Sequence, residues 1–281
     1  MNQRYKNIAF QGIHGAYSEV VCRKLYPDLK TRPVPFFEDV FEAVENGEAD
    51  LGLIPVENSK AGRVAEIHML LPHMNLHIVG EHFQKIEHHL IAPRGAQLKS
   101  IEHVYSHIQA LLQCRDSLRK LGVTSHSYSD TAQAAADVSE WNDFSKAALA
   151  SDLAAHYYDL EIIKSNMEDK SDNTTLFLTI AKEAIEIDPA TQKVVTSLFF
   201  ETRNIPAALY KALGGFATNN INLLKLESYI PGKTSQRALF FATFEGNTRD
   251  KLVRLALEEL HFFCENVRIL GSYPADFARF Q

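Results

Sequence analysis

Cysteine is scarce in this chain: Cys22, Cys114 and Cys264 are three in number and far apart. An odd, scattered set excludes a disulfide framework and reads as reduced thiols in a cytoplasmic protein. The opening MNQRYKNIAF has no apolar h-region, so no secretory signal is read there. No apolar run approaches the ~20 residues of a membrane helix, so no membrane role is expected. Positive charge is in deficit, with 29 Lys and Arg against 35 Asp and Glu for a formal net charge of -6. Without a sustained basic stripe, nucleic-acid binding by phosphate neutralisation is excluded. Phosphate and nucleotide loops are missing too. GKT at Gly232–Thr234 has Glu227 where the earlier glycine of a phosphate loop belongs, and GIHGAYS lacks the third glycine of a dinucleotide fingerprint. There is no GxSxG elbow, which speaks against a hydrolase.

What remains is an ordinary globular composition, 46% apolar and 23% charged, over 281 residues. That length implies two domains. The histidines His68, His73, His77, His82, His88 and His89 match no standard zinc spacing, and no metal is expected.

The first two thirds alternate short apolar runs with helical patterns, which implies α/β layering. Strands are read at Ile8–Phe10, Asp50–Val56, Leu76–Val79, His89–Ala92 and Val104–Tyr105, the last followed by a helix from His107 to about Leu121. Residues 1–183 form the first domain. The charged, proline-containing stretch 184–193 is read as a linker. Residues 194–275 then read as strand, helix, strand, strand, helix, strand, a ferredoxin-like βαββαβ unit. A type II turn is expected at Pro231–Gly232.

Three polar clusters sit where apolar strands end, the usual address of ligands in α/β sheets. PVENSKAGRV carries Glu57, Asn58 and Ser59; VYSHIQALLQC carries Ser106, Gln109 and Gln113; DNTTLF carries Thr174 and Thr175. Each also has a local explanation. Asn58 and Ser59 suit the cap of the helix through Val64 and Leu71. Ser106 and Gln109 form a capping box, and the threonines suit a strand start.

PVENSKAGRV, VYSHIQALLQC, ALASDLAA and DNTTLF, in this order, resemble the prephenate dehydratase family, and the second domain resembles the ACT regulatory domain of those enzymes. The resemblance implies a two-lobed, periplasmic-binding-protein-like catalytic region that converts prephenate to phenylpyruvate, water and carbon dioxide. It implies no metal or organic cofactor. By the family pattern, Thr175 is the donor to the departing hydroxyl, Asn58, Ser106 and Gln113 hold the substrate, and Glu57, Ser59 and Phe177 complete the site. It further implies feedback by L-phenylalanine at Asn204, Ala208, Leu209, Glu227 and Ser228, and a homodimer or homotetramer.

The chain departs from the pattern at three places. Leu176 replaces the arginine of Thr-Arg-Phe, Ala207-Ala208-Leu209 replaces Gly-Ala-Leu, and Tyr229-Ile230 replaces Arg-Pro. Restoring arginine at Leu176 is expected to raise activity or leave it unchanged. An arogenate-preferring enzyme and a catalytically weakened amino-acid sensor are the alternatives.

Overall fold

The computed structural model describes residues 5–188, 190–191, 193–229 and 238–280. The Pro231–Gly232 turn lies outside the described residues. The chain divides into two compact units, residues 1–71 with 83–177, and residues 72–82 with 178–281.

The first unit opens with β1 (Asn7–Gln11), α1 (Tyr17–Leu25), β2 (Lys30–Val34), α2 (Phe37–Glu45) and β3 (Leu51–Asn58). A two-residue β4 (Gly62–Arg63), α3 (Ala65–Leu70) and β5 (His77–Lys85) follow. β1 pairs in parallel with both β2 and β3. Ile8, Ala9, Phe10, Leu53 and Ile54 are wholly buried, as a parallel sheet covered on both faces requires.

The chain then builds a second sheet from β6 (His89–Pro93), β7 (His103–His107), α4 (Ile108–Gln113), α5 (Arg115–Leu121), β8 (Thr124–Tyr128), α6 (Thr131–Trp141), β9 (Lys146–Ala150), α7 (Asp152–Tyr157) and β10 (Leu160–Lys164). Its order is β10-β6-β9-β7-β8, with β7 parallel to β8 and β9. β11 (Thr174–Ala181) returns to the first sheet, whose order is β2-β1-β3-β11-β5 with β4 beside β3. β5 and β11 have residues in both units.

The two sheets repeat one plan. In β1–α1–β2–α2–β3 and again from β7 to β9, the first strand lies between the second and third. Each half therefore has a topological switch beside its first strand, where carboxyl ends leave a crevice. This is the expected two-lobed, binding-protein-like α/β region.

The second unit contains β12 (Val194–Thr202), α8 (Ala208–Thr218), β13 (Leu223–Tyr229), β14 (Leu239–Glu245), α9 (Lys251–Phe263) and β15 (Cys264–Pro274). The antiparallel order β13-β14-β12-β15 is ferredoxin-like. Its core joins Leu198, Phe200, Phe240 and Phe244 of the sheet to Ala212 and Phe216 of α8 and to Val253, Ala256 and Leu260 of α9.

Three local expectations are corrected. Ser106 caps no helix: β7 runs on through His107, and Ser106, fully buried, donates its hydroxyl to the Leu149 carbonyl at 2.6 Å. Pairing with β8 and β9 outlasts the capping signal. His107 becomes the N-cap instead, its Nδ1 accepting from the Gln109 N–H at 3.3 Å. The single helix over 107–121 is two, broken at the buried Cys114, and Asp169 accepts from the Asp116 and Ser117 N–H groups at the start of the second. Asn58 and Ser59 do not cap α3, whose N-cap is Val64 without a side-chain acceptor.

Candidate active site

A cavity of about 500 Å³ opens within the first unit, in the size range of small-molecule sites. It is walled by the carboxyl ends of strands from both lobes. Gln11 and Asn58 close β1 and β3, His107 closes β7, and Ser129, Asp130 and Thr131 follow β8. Asn173, Thr175 and Phe177 enter from β11 and its approach, while Ala16, Tyr17 and Ser18 form the start of α1.

Thr175 is fixed by a chain of amides whose polarity starts in the backbone. Asn58 Oδ1 accepts the Lys60 and Ala61 N–H groups at 2.9 and 2.8 Å, which orients the amide. Asn58 Nδ2 must then face the site. It donates to Thr175 Oγ1 and to Asn173 Oδ1, both at 2.8 Å. Because the Thr175 oxygen already accepts from Asn58, its own hydrogen is left for an acceptor in the cavity. Asn173 Nδ2 donates in turn to Gln113 Oε1 at 2.8 Å. The same oxygen lies 2.8 Å from His88 Nε2, which must therefore carry the proton of the neutral ring. His88 Nδ1 is then an acceptor for the Tyr17 hydroxyl, 2.7 Å away, whose one hydrogen is shared with the Glu87 carbonyl at 2.9 Å.

Burial supports this assignment. His88 is 3% exposed, and loss of solvation lowers its pKa, against the opposing pull of Gln113 and Glu168. Burial, with the neighbouring Cys114 and Glu168, holds the Tyr17 phenol far above its usual value, so it stays neutral.

The wall carries no lysine or arginine among the described residues. Its acids are Glu66 and Asp130. Burial and the nearby Glu38 raise the Glu66 carboxyl, while Asp130 caps α6 by accepting from the Ala132 and Gln133 N–H groups at 2.7 and 3.0 Å.

The start of α1 is locked by Glu19. This fully buried carboxylate accepts from the Gly15 N–H at 2.8 Å, from the Thr31 and Tyr157 hydroxyls at 2.8 Å, and from Arg23 at 3.1 Å. Burial alone would raise its pKa; these hydrogen bonds, with His14, bring it below the ordinary carboxylate value. Ser151 Oγ adds a bond to the Gly15 carbonyl at 2.6 Å.

Against this geometry, a family model described as prephenate dehydratase matches residues 8–185. A bifunctional N-acyl-homoserine lactone acylase/prephenate dehydratase of Komagataeibacter europaeus is 42% identical over 95% of both chains. The chain belongs to the prephenate dehydratase family. An arogenate dehydratase/prephenate dehydratase of Arabidopsis thaliana is 39% identical over 96% of this chain and 73% of its own. Among solved structures, prephenate dehydratase from Arthrobacter aurescens in complex with L-Phe superposes with a TM-score of 0.87 at 26% identity, covering 97% of this chain and 91% of that one.

The prephenate dehydratase positions read from the sequence do not all share one place. Asn58, Gln113, Thr175 and Phe177 line the cavity. Ser106, Glu57 and Ser59 do not. Ser59 braces the entry of β11, donating to the Asp172 carbonyl and accepting from the Thr174 N–H, both at 3.0 Å, and Glu57 pairs across β3 and β4 with Arg63. Leu176 is buried and off the cavity wall. Tyr17, Ser18, His88 and Asn173 also line the cavity, and motif reading had not placed them there. His88 stood in view among the clustered histidines, but only as a metal ligand to be rejected.

In the second unit, Ala208 opens α8, Leu209 packs on the core, and Asn204 lies exposed before the helix. Glu227 and Ser228 lie on the edge strand β13, where Glu227 pairs with Lys225 at 3.2 Å. Ala207 adopts φ 60°, the left-handed conformation that glycine takes freely. A larger cavity of this unit, about 760 Å³, is lined by other residues, including Asn219, Asn222, Asn247 and Lys251.

Proposed function

We propose that the cavity around Thr175 is where this lyase converts prephenate to phenylpyruvate. The single observation that carries the assignment is the Asn58–Thr175 hydrogen bond, in which the threonine oxygen accepts and its own hydrogen is left to donate. In the reaction the ring C–O bond and the bond to the ring carboxylate break, and the electron pair of the second enters the ring to complete aromaticity. The dianion takes up one proton, which leaves with the departing oxygen as water. Thr175 donates to that oxygen. A neutral hydroxyl is a weak acid, so orientation and exclusion of water supply much of the rate.

Asn58 and Gln113 act on this reading by positioning. Asn58 spends both amide hydrogens and its oxygen inside the protein, and Gln113 holds Asn173 and His88. An acylase chemistry, as in the name of the Komagataeibacter relative, calls for a nucleophile beside a base. Here the partner recorded for Thr175 Oγ1 is an amide donor, which favours the dehydratase.

The ferredoxin-like unit is read as an ACT regulatory domain, with phenylalanine bound between the turn at Asn204–Leu209 and the strand at Glu227–Ser228. The glycine-like conformation of Ala207 and the L-Phe complex of the Arthrobacter relative support this reading. Pairing of such units makes the enzyme a homodimer or homotetramer. Three buried, unpaired cysteines support a cytoplasmic setting.

The test is a steady-state assay with prephenate, following phenylpyruvate, with and without L-phenylalanine. Turnover is expected, inhibited by phenylalanine, and Thr175→Ala is expected to lower kcat by about 10²–10⁴ with a smaller change in KM. A cooperatively folded protein without turnover would sink the reaction. Undiminished kcat in Thr175→Ala would remove Thr175 from its role.

A further inference from the structure

The reading above leaves a physical question. Prephenate carries two carboxylates, and no cationic side chain stands on the wall among the described residues. The charge must be met by neutral donors, and several donors of the wall are already engaged inside the protein. Asn58 and Asn173 are committed to one another, to Thr175 and to Gln113, and the Ala132 and Gln133 N–H groups are taken by Asp130.

The start of α1 is different. No side chain caps it: its N-cap is Ala16, whose short side chain offers no acceptor. Glu19, the acid of its first turn, reaches back to the Gly15 N–H and is balanced by Arg23, so it leaves the N–H groups of Tyr17 and Ser18 alone. Those two groups are orphan donors at the positive end of a nine-residue helix. The Ser18 side chain is the second, independent observation. It is 8% exposed, lines the cavity, and its hydroxyl makes no hydrogen bond among the described residues. The residue is more than nine-tenths buried, yet its oxygen is reached from the cavity, so the hydroxyl stands ready there as a donor to a ligand atom.

We propose that the first turn of α1, with the Ser18 hydroxyl and the N–H groups of Tyr17 and Ser18, is the subsite for the side-chain 2-oxo carboxylate of the substrate. The choice between the two carboxylates follows from the chemistry. The ring carboxylate must give up its charge to leave as carbon dioxide, and firm donors on it would stabilise the ground state more than the transition state. The side-chain carboxylate keeps its charge throughout, so donors fixed on it bind both states alike. Glu19 and the Ser151–Gly15 bond hold those donors in place before substrate arrives. Ser18 is thus a binding residue, and its loss belongs in KM rather than kcat.

This inference rests on the dehydratase reading, and the experiment separates the two. Wild type and Ser18→Ala are titrated with phenylpyruvate and with benzyl methyl ketone, the same skeleton without the carboxylate. Wild type is expected to prefer phenylpyruvate. Ser18→Ala is expected to bind phenylpyruvate about ten-fold more weakly, the worth of a hydrogen bond to a charged group, with the ketone unchanged. In turnover, KM for prephenate is expected to rise about ten-fold with kcat within about three-fold, and Ser18→Thr, which keeps the hydroxyl, is expected to recover most of the loss. Equal phenylpyruvate affinity in wild type and Ser18→Ala overturns the subsite. So does an equal loss of both ligands, or a wild type that does not distinguish them. A wild type that shows the preference yet never converts prephenate overturns the reaction and keeps the subsite.

Discussion

Thr175 and Leu176 are neighbours in β11 and equally buried, each 7% exposed, but only Thr175 lines the cavity. Alternation along a strand sends successive side chains to opposite faces. An arginine at position 176 would therefore start from the face away from Thr175, in a place now filled by leucine. Burying a guanidinium without prepared partners costs several kcal/mol in effective terms. The burial reverses the expectation drawn from the family motif. Leu176→Arg is expected to lose about 2–4 kcal/mol of stability, seen as a lower Tm, with no gain in kcat/KM. An unchanged Tm with a lower KM for prephenate would mean that the arginine reaches the substrate and that leucine is the deficit.

At the scale of the element, the loop before α1 shows why a glycine stands where it does. Gly15 has φ +89°, and a Cβ there would fall 2.7 Å from Ala154 Cα of α7. Gly15→Ala is expected to cost about 2–3 kcal/mol and, by displacing the start of α1, to raise KM more than it lowers kcat. Urea unfolding and steady-state kinetics check both, and a stable variant with an unaltered KM would show that the loop has room to yield. The elements themselves were unevenly legible. The runs at Ile8–Phe10 and His89–Ala92 are apolar because central strands are covered on both faces. KTRPV and TSHSY, β2 and β8, escaped notice because they are sheet edges, half wet and mostly polar. The βαββαβ order was plain, since α9 keeps one apolar face from Val253 to Leu260. The amide chain to Thr175 was not, because its hydrogen-bonded pairs are 60 to 117 residues apart. Local patterns at Ser106 likewise gave way to strand pairing, which no short window contains.

At the scale of the molecule, the buried chain through His88 ties stability to pH. The folded state lowers the pKa of this ring beneath its ordinary value of ~6.5 by desolvation. In the unfolded chain the ring binds a proton more readily. The stability from burying it neutral is therefore full above the unfolded pKa and is lost as pH falls from there toward the folded one. Wild type is expected to lose stability below about pH 6.5, and His88→Gln to lose less over the same window. Thermal melts of both proteins between pH 7 and 5 read the difference, and parallel curves would show that His88 titrates alike in both states.

The order in which these parts are joined also has a consequence for synthesis on the ribosome. β11 lies between β3 and β5 in the sheet, though the whole second lobe comes before it in the chain. A nascent chain halted before Asn173 has made nearly every wall of the cavity, yet it lacks the strand that closes the sheet and the hydroxyl that Asn58 is waiting to aim. Closing such a distant pair is costly and slow relative to local structure. The proposed donor, Thr175, is thus among the last parts of the first unit to be delivered, and on that reading a translation product that ends before it is not expected to dehydrate prephenate.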